Sequence, residues 1–352
     1  MAARRPSADD RILRPRELNR ALLARQFLLE RTNADPLDVV DHLIGLQAQA
    51  VYAPYTGLWT RIADFSPEAL SRLLVDRRVV RIAVMRGTVH LVTAADALEL
   101  RALMRPVFER PIAGGTPYSR ALAGVDLQQI VARARALVEE RPRTHAELRA
   151  LLGEHWPDVD PGALTFLVRH RLACVQVPPR GVWGAKGQPR VTTAEAWLGR
   201  PLSEDPSAET LVQRYLAAYG PASVADMQAW SSLTRLGGVF ERIRPRLVTF
   251  RTDDGRELFD LPDAPRPSAE VTAPVRFLPE YDNVLRAHAD RSRVMSAETR
   301  ERLRTKNDAP RPTFLVDGFV HGTWRIEQRR GTATMTIQPF RALSRPDTSA
   351  VT

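Results

Sequence analysis

The chain has 352 residues, 44% of them hydrophobic, with 51 Lys and Arg against 41 Asp and Glu for a formal charge of +10. That length exceeds one ordinary core, so roughly two to four modules are expected. No apolar run reaches the roughly eighteen residues of a membrane span, residues 1–10 lack the apolar stretch of a secretory leader, and a single cysteine, Cys174, excludes an internal disulfide or a zinc ribbon.

In chain order, helical periodicity first marks 16–31, 36–46 and 67–76, followed by strands at 79–84 and 88–92. A second set repeats the order. Residues 126–140 carry an apolar stripe at Leu127, Ile130, Val131, Ala134, Leu137 and Val138. Thr144 with Glu147 forms a capping box for a short helix over 146–152. A helix at 161–171 follows, then a strand pair at 173–177 and 181–184. The third set has helices at 208–219, 223–230 and 234–243 and strands at 247–251 and 257–261, turned by Asp253-Asp254-Gly255. Beyond a proline-rich stretch at 262–267 the pattern is mostly β. Asp317-Gly318 marks a hairpin between 313–316 and 320–326, and 332–339 reads as a further strand.

Helix, short helix, helix, hairpin is the order of a winged helix-turn-helix. The expected fold is mainly α with β (α+β). Three tandem winged-helix modules cover 12–115, 116–204 and 205–262; a β-rich region covers 263–340, and 341–352 is a frayed tail. Such modules serve as DNA readers and as protein-docking platforms alike.

All but two of the basic residues are arginine, the exceptions being Lys186 and Lys306. A GC-rich coding bias explains arginine over lysine but not the surplus of bases over acids. Arginine suits bidentate phosphate and guanine contacts, so double-stranded DNA is the expected partner. A membrane partner is not expected, and a monomer is.

The segment Leu46-Gln47-Ala48-Gln49, between Gly45 and Pro54, is the most informative. Glutamines two apart share a side only in extended backbone or at a helix end; within a helix they diverge by about 200°. A polar pair closing a helix between modules explains them equally well. Arg86, Thr88 and His90 alternate in the strand expected at 88–92 and its approach, so they share a face that suits phosphate or a lesion, or a covered polar face. Tyr281, Asp282, Asn283 and His288 fall in a proline-flanked segment read as a loop, where function concentrates, although an Asx turn explains Asp282 and Asn283 as well. His145, His155 and His170 share no metal spacing. The six tryptophans, Trp59, Trp156, Trp183, Trp197, Trp230 and Trp324, are expected mainly in the core.

Gln47-Ala48-Gln49 resembles the glutamine–apolar–glutamine motif of the AlkZ/YcaQ winged-helix DNA glycosylases. The stretches 85–92, 278–283, 288–291 and Val316-Asp317-Gly318 fit the same family in the same order. The likeness spans roughly 12–340 and is closer to AlkZ, because the YcaQ branch has aspartate at the position of Gln49. It implies tandem winged helices around a DNA channel and removal of N7-alkylated purines, including cross-links and bulky natural-product adducts. It also implies that Gln47 and Gln49 position the attacking water. Arg86, Thr88, His90, Tyr281, Asp282, Asn283 and His288 are the candidate DNA or lesion contacts.

An amide is a poor base, but it holds a water by donating and accepting hydrogen bonds. N7-alkylguanine is already cationic, so its base departs without being protonated. No cofactor or metal is expected: there is no Gly-rich phosphate loop, HExxH or acidic cluster. With two lysines in the chain, a Schiff-base lyase step is not expected either. The resulting expectation is a monofunctional, cytoplasmic, nucleoid-associated repair enzyme, serving housekeeping repair or self-resistance in an antibiotic producer. The alternative is a non-catalytic winged-helix regulator, and a docking scaffold would not need the positive charge.

Overall fold

The computed structural model describes residues 11–304 and 311–351, so the expectations for residues 1–10 and Lys306 lie outside it. The fold is α+β, with helix outweighing strand. Chain contacts divide it into two compact units. One gathers the chain up to Phe65, Glu209–Trp230 and the chain from Thr234 onward; the other holds Ser66–Ala208 with Ser231–Leu233.

The Ser66–Ala208 unit is built on three helices, Leu127–Glu140, His145–His155 and Pro161–Arg171. Asp126 caps the first by accepting from Gln128 N and Gln129 N. Thr144 and Glu147 close the expected capping box on the second. Ile130, Ala134, Leu137 and Val138 line one face of the first helix and pack on Leu148, Leu152, Leu164, Leu167 and Val168. Each buried aliphatic side chain there stabilises the unit by about 1.5–3 kcal/mol. Five strands of this unit lie antiparallel in the order Val89–Thr93, Val79–Ala83, Cys174–Gln176, Arg190–Thr193, Arg143–Thr144.

The partner of Cys174–Gln176 is therefore Arg190–Thr193 and not the expected 181–184. Gly181 at φ 92° and Gly184 at φ 70° turn the chain out of β geometry, and Pro178 and Pro179 have no N–H to donate. Residues 177–189 form a long loop between the two strands.

In the other unit the helix Pro15–Arg25 is anchored by a polar face that is fully enclosed. Arg25 pairs both nitrogens with Asp260, at 2.7 and 2.8 Å. Arg20 meets Asp317, and Asn19 Nδ2 donates to Gly318 O at 2.8 Å and Arg293 O at 2.7 Å. Asp317 and Gly318 sit at φ 46° and 81°, making the two-residue turn that Asp-Gly signals between Thr313–Val316 and Phe319–Arg329. A Cβ on Gly318 would stand 2.5–2.7 Å from Asn19, Leu23 and Arg20, so the close approach requires glycine. Phe319–Arg329 continues into a pairing with Thr332–Pro339, and Arg276–Leu278 completes a four-stranded antiparallel sheet.

Three further expectations change. The first helix stops at Arg25 and not near residue 31, because Phe27 turns left-handed at φ 55°. The second spans Pro36–His42 and not 36–46. The end expected to fray carries a helix, Arg345–Val351, opened by Ser344, whose hydroxyl accepts from Asp347 N at 3.2 Å.

Candidate active site

The chain reverses just before the glutamine pair. After Pro36–His42, Ile44 (φ 55°) and Gly45 (φ 90°) are both left-handed. Gly45 N donates back to Val40 O at 2.8 Å and Ile44 N to Asp41 O at 3.0 Å, the two bonds of a Schellman end. Ile44 is fully buried. A β-branched residue in this region costs of order 1–3 kcal/mol and persists only where its surroundings hold it.

From this turn the chain leaves in extended form as Leu46–Gln47, not as helix. Gln47 is 6% exposed and Ala48 fully buried, whereas Gln49 lies at the surface in the bend that follows. The helix Ala53–Trp59 begins four residues later.

The turn's free carbonyls are met by side chains from far along the chain. The Tyr219 hydroxyl donates to Leu43 O at 2.6 Å. Asn283 spends both amide hydrogens here, one on Gly45 O and one on the Tyr219 hydroxyl oxygen, each at 2.8 Å. His288 Nε2 donates to Tyr219 O at 3.0 Å. Burial, with Arg293 nearby, pushes the His288 pKa down to about 3, so its ring is neutral. Asp282 receives Arg61 through both oxygens at 2.9 Å, with both side chains fully buried, and also turns the backbone by accepting from Val284 N. Arg61 donates in turn to Gly57 O and to Gln26 Oε1.

Of the loop candidates, then, Asp282, Asn283 and His288 are buried and bonded within the protein. Tyr281, at φ 64° and half-buried under the Arg286 guanidinium 5.7 Å away, keeps part of its ring open. The Asx turn and the ion pair coexist at Asp282. Tyr219 and Arg61 were not legible as site residues. The signal available was a tyrosine ending the apolar face of Ala208–Tyr219, since a buried phenol must find a partner.

In the other unit the strand begins at Val89, so Arg86 and Thr88 are not on a strand face with His90. Arg86 sits in a tight turn, Met85–Gly87, with Arg86 at φ 56° and Gly87 at φ 66°, and Thr88 is the extended residue that follows it. The structure still brings the three together. Thr88 Oγ1 donates to Met85 O, His90 Nδ1 donates to Thr88 O at 2.8 Å, and Arg86 Nη2 approaches His90 Nε2 at 3.3 Å. Burial and the Arg86 charge push His90 down to about 3, which keeps Nε2 free to accept. Arg86 and Thr88 are half-buried and His90 is 1% exposed.

Trp230 is core, but Trp59 and Trp183 stand 44% and 48% exposed, against expectation. Among the described residues no group of His, Cys, Asp and Glu is arranged to hold a metal, and no helix is long and apolar enough to cross a membrane.

A short strand ending in Gln47, with Gln49 in the bend beyond it, thus stands on a buried polar turn. The family model of AlkZ-like DNA glycosylases matches residues 40–352. The chain belongs to this family. The interstrand DNA cross-link repair glycosylase of Streptomyces sahachiroi is 27% identical over 93% of this chain and 89% of that protein. The solved structure of S. sahachiroi DNA glycosylase AlkZ superposes with a TM-score of 0.80, covering 97% of this chain and 94% of that one at 21% identity. The AlkZ-like assignment makes the chain a DNA glycosylase by family, with DNA as its partner.

Proposed function

We propose that this protein hydrolyses the N-glycosidic bond of N7-alkylated purines in duplex DNA, with Gln47 and Gln49 holding the attacking water. The observation that carries this reading is the extended exit from the Ile44–Gly45 reversal. It takes Gln47 out of helical geometry, and the bend that follows leaves one amide rooted in the protein and one at the surface. Between two carboxamides a water donates one hydrogen and keeps a lone pair for the anomeric carbon. Neither amide takes a full proton at neutral pH, so the substrate must bring its own activation, and the fixed charge of an N7-alkyl purine provides it.

The name of the S. sahachiroi relative, an interstrand DNA cross-link repair glycosylase, supports extending the reading to cross-links. Such lesions resist rotation out of the duplex, so approach in place replaces base flipping for them. The order of Leu127–Glu140, Arg143–Thr144, His145–His155, Pro161–Arg171 and the Cys174–Gln176/Arg190–Thr193 pair supports a winged-helix module with 177–189 as its wing. We extend the same reading to modules at 12–115 and 205–262. The ribbon of Phe319–Arg329 and Thr332–Pro339 also suits DNA. It exposes Ile326 and Met335 as a cross-strand pair amid Arg325, Arg329 and Arg330, and a two-stranded ribbon is of groove width.

The test is incubation with a duplex containing one N7-methylguanine, followed by hot alkali. Strand breaks appearing only after alkali are expected, with hypoxanthine and 8-oxoguanine duplexes spared. Breaks before alkali would show a lyase, and equal excision of hypoxanthine would show that some other group protonates the base.

A further inference from the structure

The glutamine pair is presented by a turn whose N–H groups bond locally but whose carbonyls do not. Ile44 is held left-handed against its preference, and the carbonyls of Leu43 and Gly45 have no partner within the helix they terminate. Both are met by one circuit. Asn283 donates to Gly45 O and to the Tyr219 oxygen, and Tyr219 passes its own hydrogen to Leu43 O. Each donor in the circuit is used, and bonds arranged head to tail polarise one another.

Tyr219 is itself fixed from several sides. Its side chain is fully buried, its ring stacks on Tyr215 at 5.3 Å and 28°, and Trp230 lies 5.6 Å away. His288 holds its carbonyl, and the Tyr215 hydroxyl ties the neighbouring chain by donating to Ala287 O at 2.7 Å. The phenol is thus a rigid post, and the turn is fastened to it directly at Leu43, four residues before Gln47, and through Asn283 at Gly45, two residues before it.

We propose that the Tyr219 hydroxyl, acting with the Asn283 carboxamide, is a positioning group for Gln47 and Gln49, setting the rate of base removal without touching DNA. The proposal rests on the assignment of those glutamines to the attacking water. The direction in which Leu46–Gln47 leaves the turn sets where the two amides point. Misplacement of a reacting group by about 1 Å costs on the order of 100-fold in rate.

Tyr219→Phe keeps the ring stacking and removes only the hydroxyl. The single-turnover rate on N7-methylguanine duplex should fall about 10- to 100-fold, with duplex Kd within about twofold of wild type. Combined with Gln47→Ala it should be no slower than Gln47→Ala alone, because both act through one water. A wild-type rate for Tyr219→Phe overturns the proposal, as does a loss that multiplies with that of Gln47→Ala, or a Kd that rises in step with the fall in rate. Should Tyr219→Phe not fold, Asn283→Asp carries the same test, since its carboxylate cannot donate to Gly45 O. Gln47→Ala alone separates the two levels: if it excises at the wild-type rate, the water assignment fails, whatever Tyr219 does.

Discussion

Two left-handed turns precede the two groups of candidate residues, and they are held in opposite ways. The turn at Met85–Gly87 closes on itself: Thr88, His90 and Arg86 bond within four residues of one another. The turn at Ile44–Gly45 also has its local bonds, but its carbonyls are met by Tyr219 and Asn283, which lie 176 and 238 residues away. A locally closed turn depends on few distant residues and tolerates change around it. A turn clamped from afar inherits the rigidity of everything packed behind it, which suits the proposed role of the amides in holding one water. The difference teaches that precision at the glutamine pair is a tertiary property.

The largest break in this comparison should come from Asp282→Asn. Both oxygens of Asp282 serve Arg61 in a fully buried pair, and the change leaves that guanidinium uncompensated. A loss of about 3–5 kcal/mol is expected in denaturant unfolding. Thr88→Val, at the locally closed turn, should cost about 1 kcal/mol or less. Equal losses would show that the buried ion pair next to Asn283 holds the chain no harder than the local bonds at Met85–Gly87 do.

Next in size is the chemical step. Gln47→Ala and Gln49→Ala should each slow excision about 100-fold in single turnover with duplex affinity unchanged, and the double variant should be little slower than either. Gln49→Asp, which supplies a base, should keep measurable activity. Arg86→Ala should do the reverse, weakening duplex binding and lowering the salt slope by about 1, with the rate at saturating enzyme preserved. If Arg86→Ala slows the saturated rate as Gln47→Ala does, the division between rate and affinity disappears.

The smallest and most even effect is with pH, because each unit holds a buried neutral histidine. His90 lies beside Arg86, and His288 faces Arg293, Asp226 and Asp290; burial is the main cause of both low values, about 3. An unfolded histidine titrates near about 6.5, so between that value and about 3 the unfolded chain binds protons the folded chain refuses. Stability should therefore fall as pH drops below about 6.5, by about 1.4 kcal/mol per histidine at about pH 5.5. Glu147 and Asp290, both held at about 2, add their loss only below about pH 4. His90→Gln and His288→Gln should each flatten the slope in this window; an unchanged slope in both would remove these histidines from the account.

Features written in short stretches of sequence were legible. Asp126 and the Thr144/Glu147 box start their helices where expected, Pro161–Arg171 is correct at both ends, and Asp317-Gly318 turns the hairpin. The strand at Arg190–Thr193 was hidden because glycines 181 and 184 frame an apolar pair that looks like β. The terminal helix was missed although Ser344 and Asp347 spell its cap. The glutamine pair was visible as a motif, and the extended backbone that the spacing left open holds for Gln47 but gives way to a bend at Gln49. What holds it was not visible. Asn283 was placed on DNA because nothing in residues 278–288 reveals a carbonyl at Gly45, and Tyr219 read simply as the end of an apolar stripe.

The clamp on the glutamine turn also bears on how the chain comes to life during synthesis. Gln47 and Gln49 emerge early, and domains fold as they appear, N-terminal first. Their geometry, however, waits for residues 219 and 283. Contacts of such sequence separation close late, after the entropy of a long loop has been overcome. A nascent or truncated chain therefore possesses both amides without the turn that presents them, and on the proposed role of the pair base removal waits until residue 283 has been made and packed.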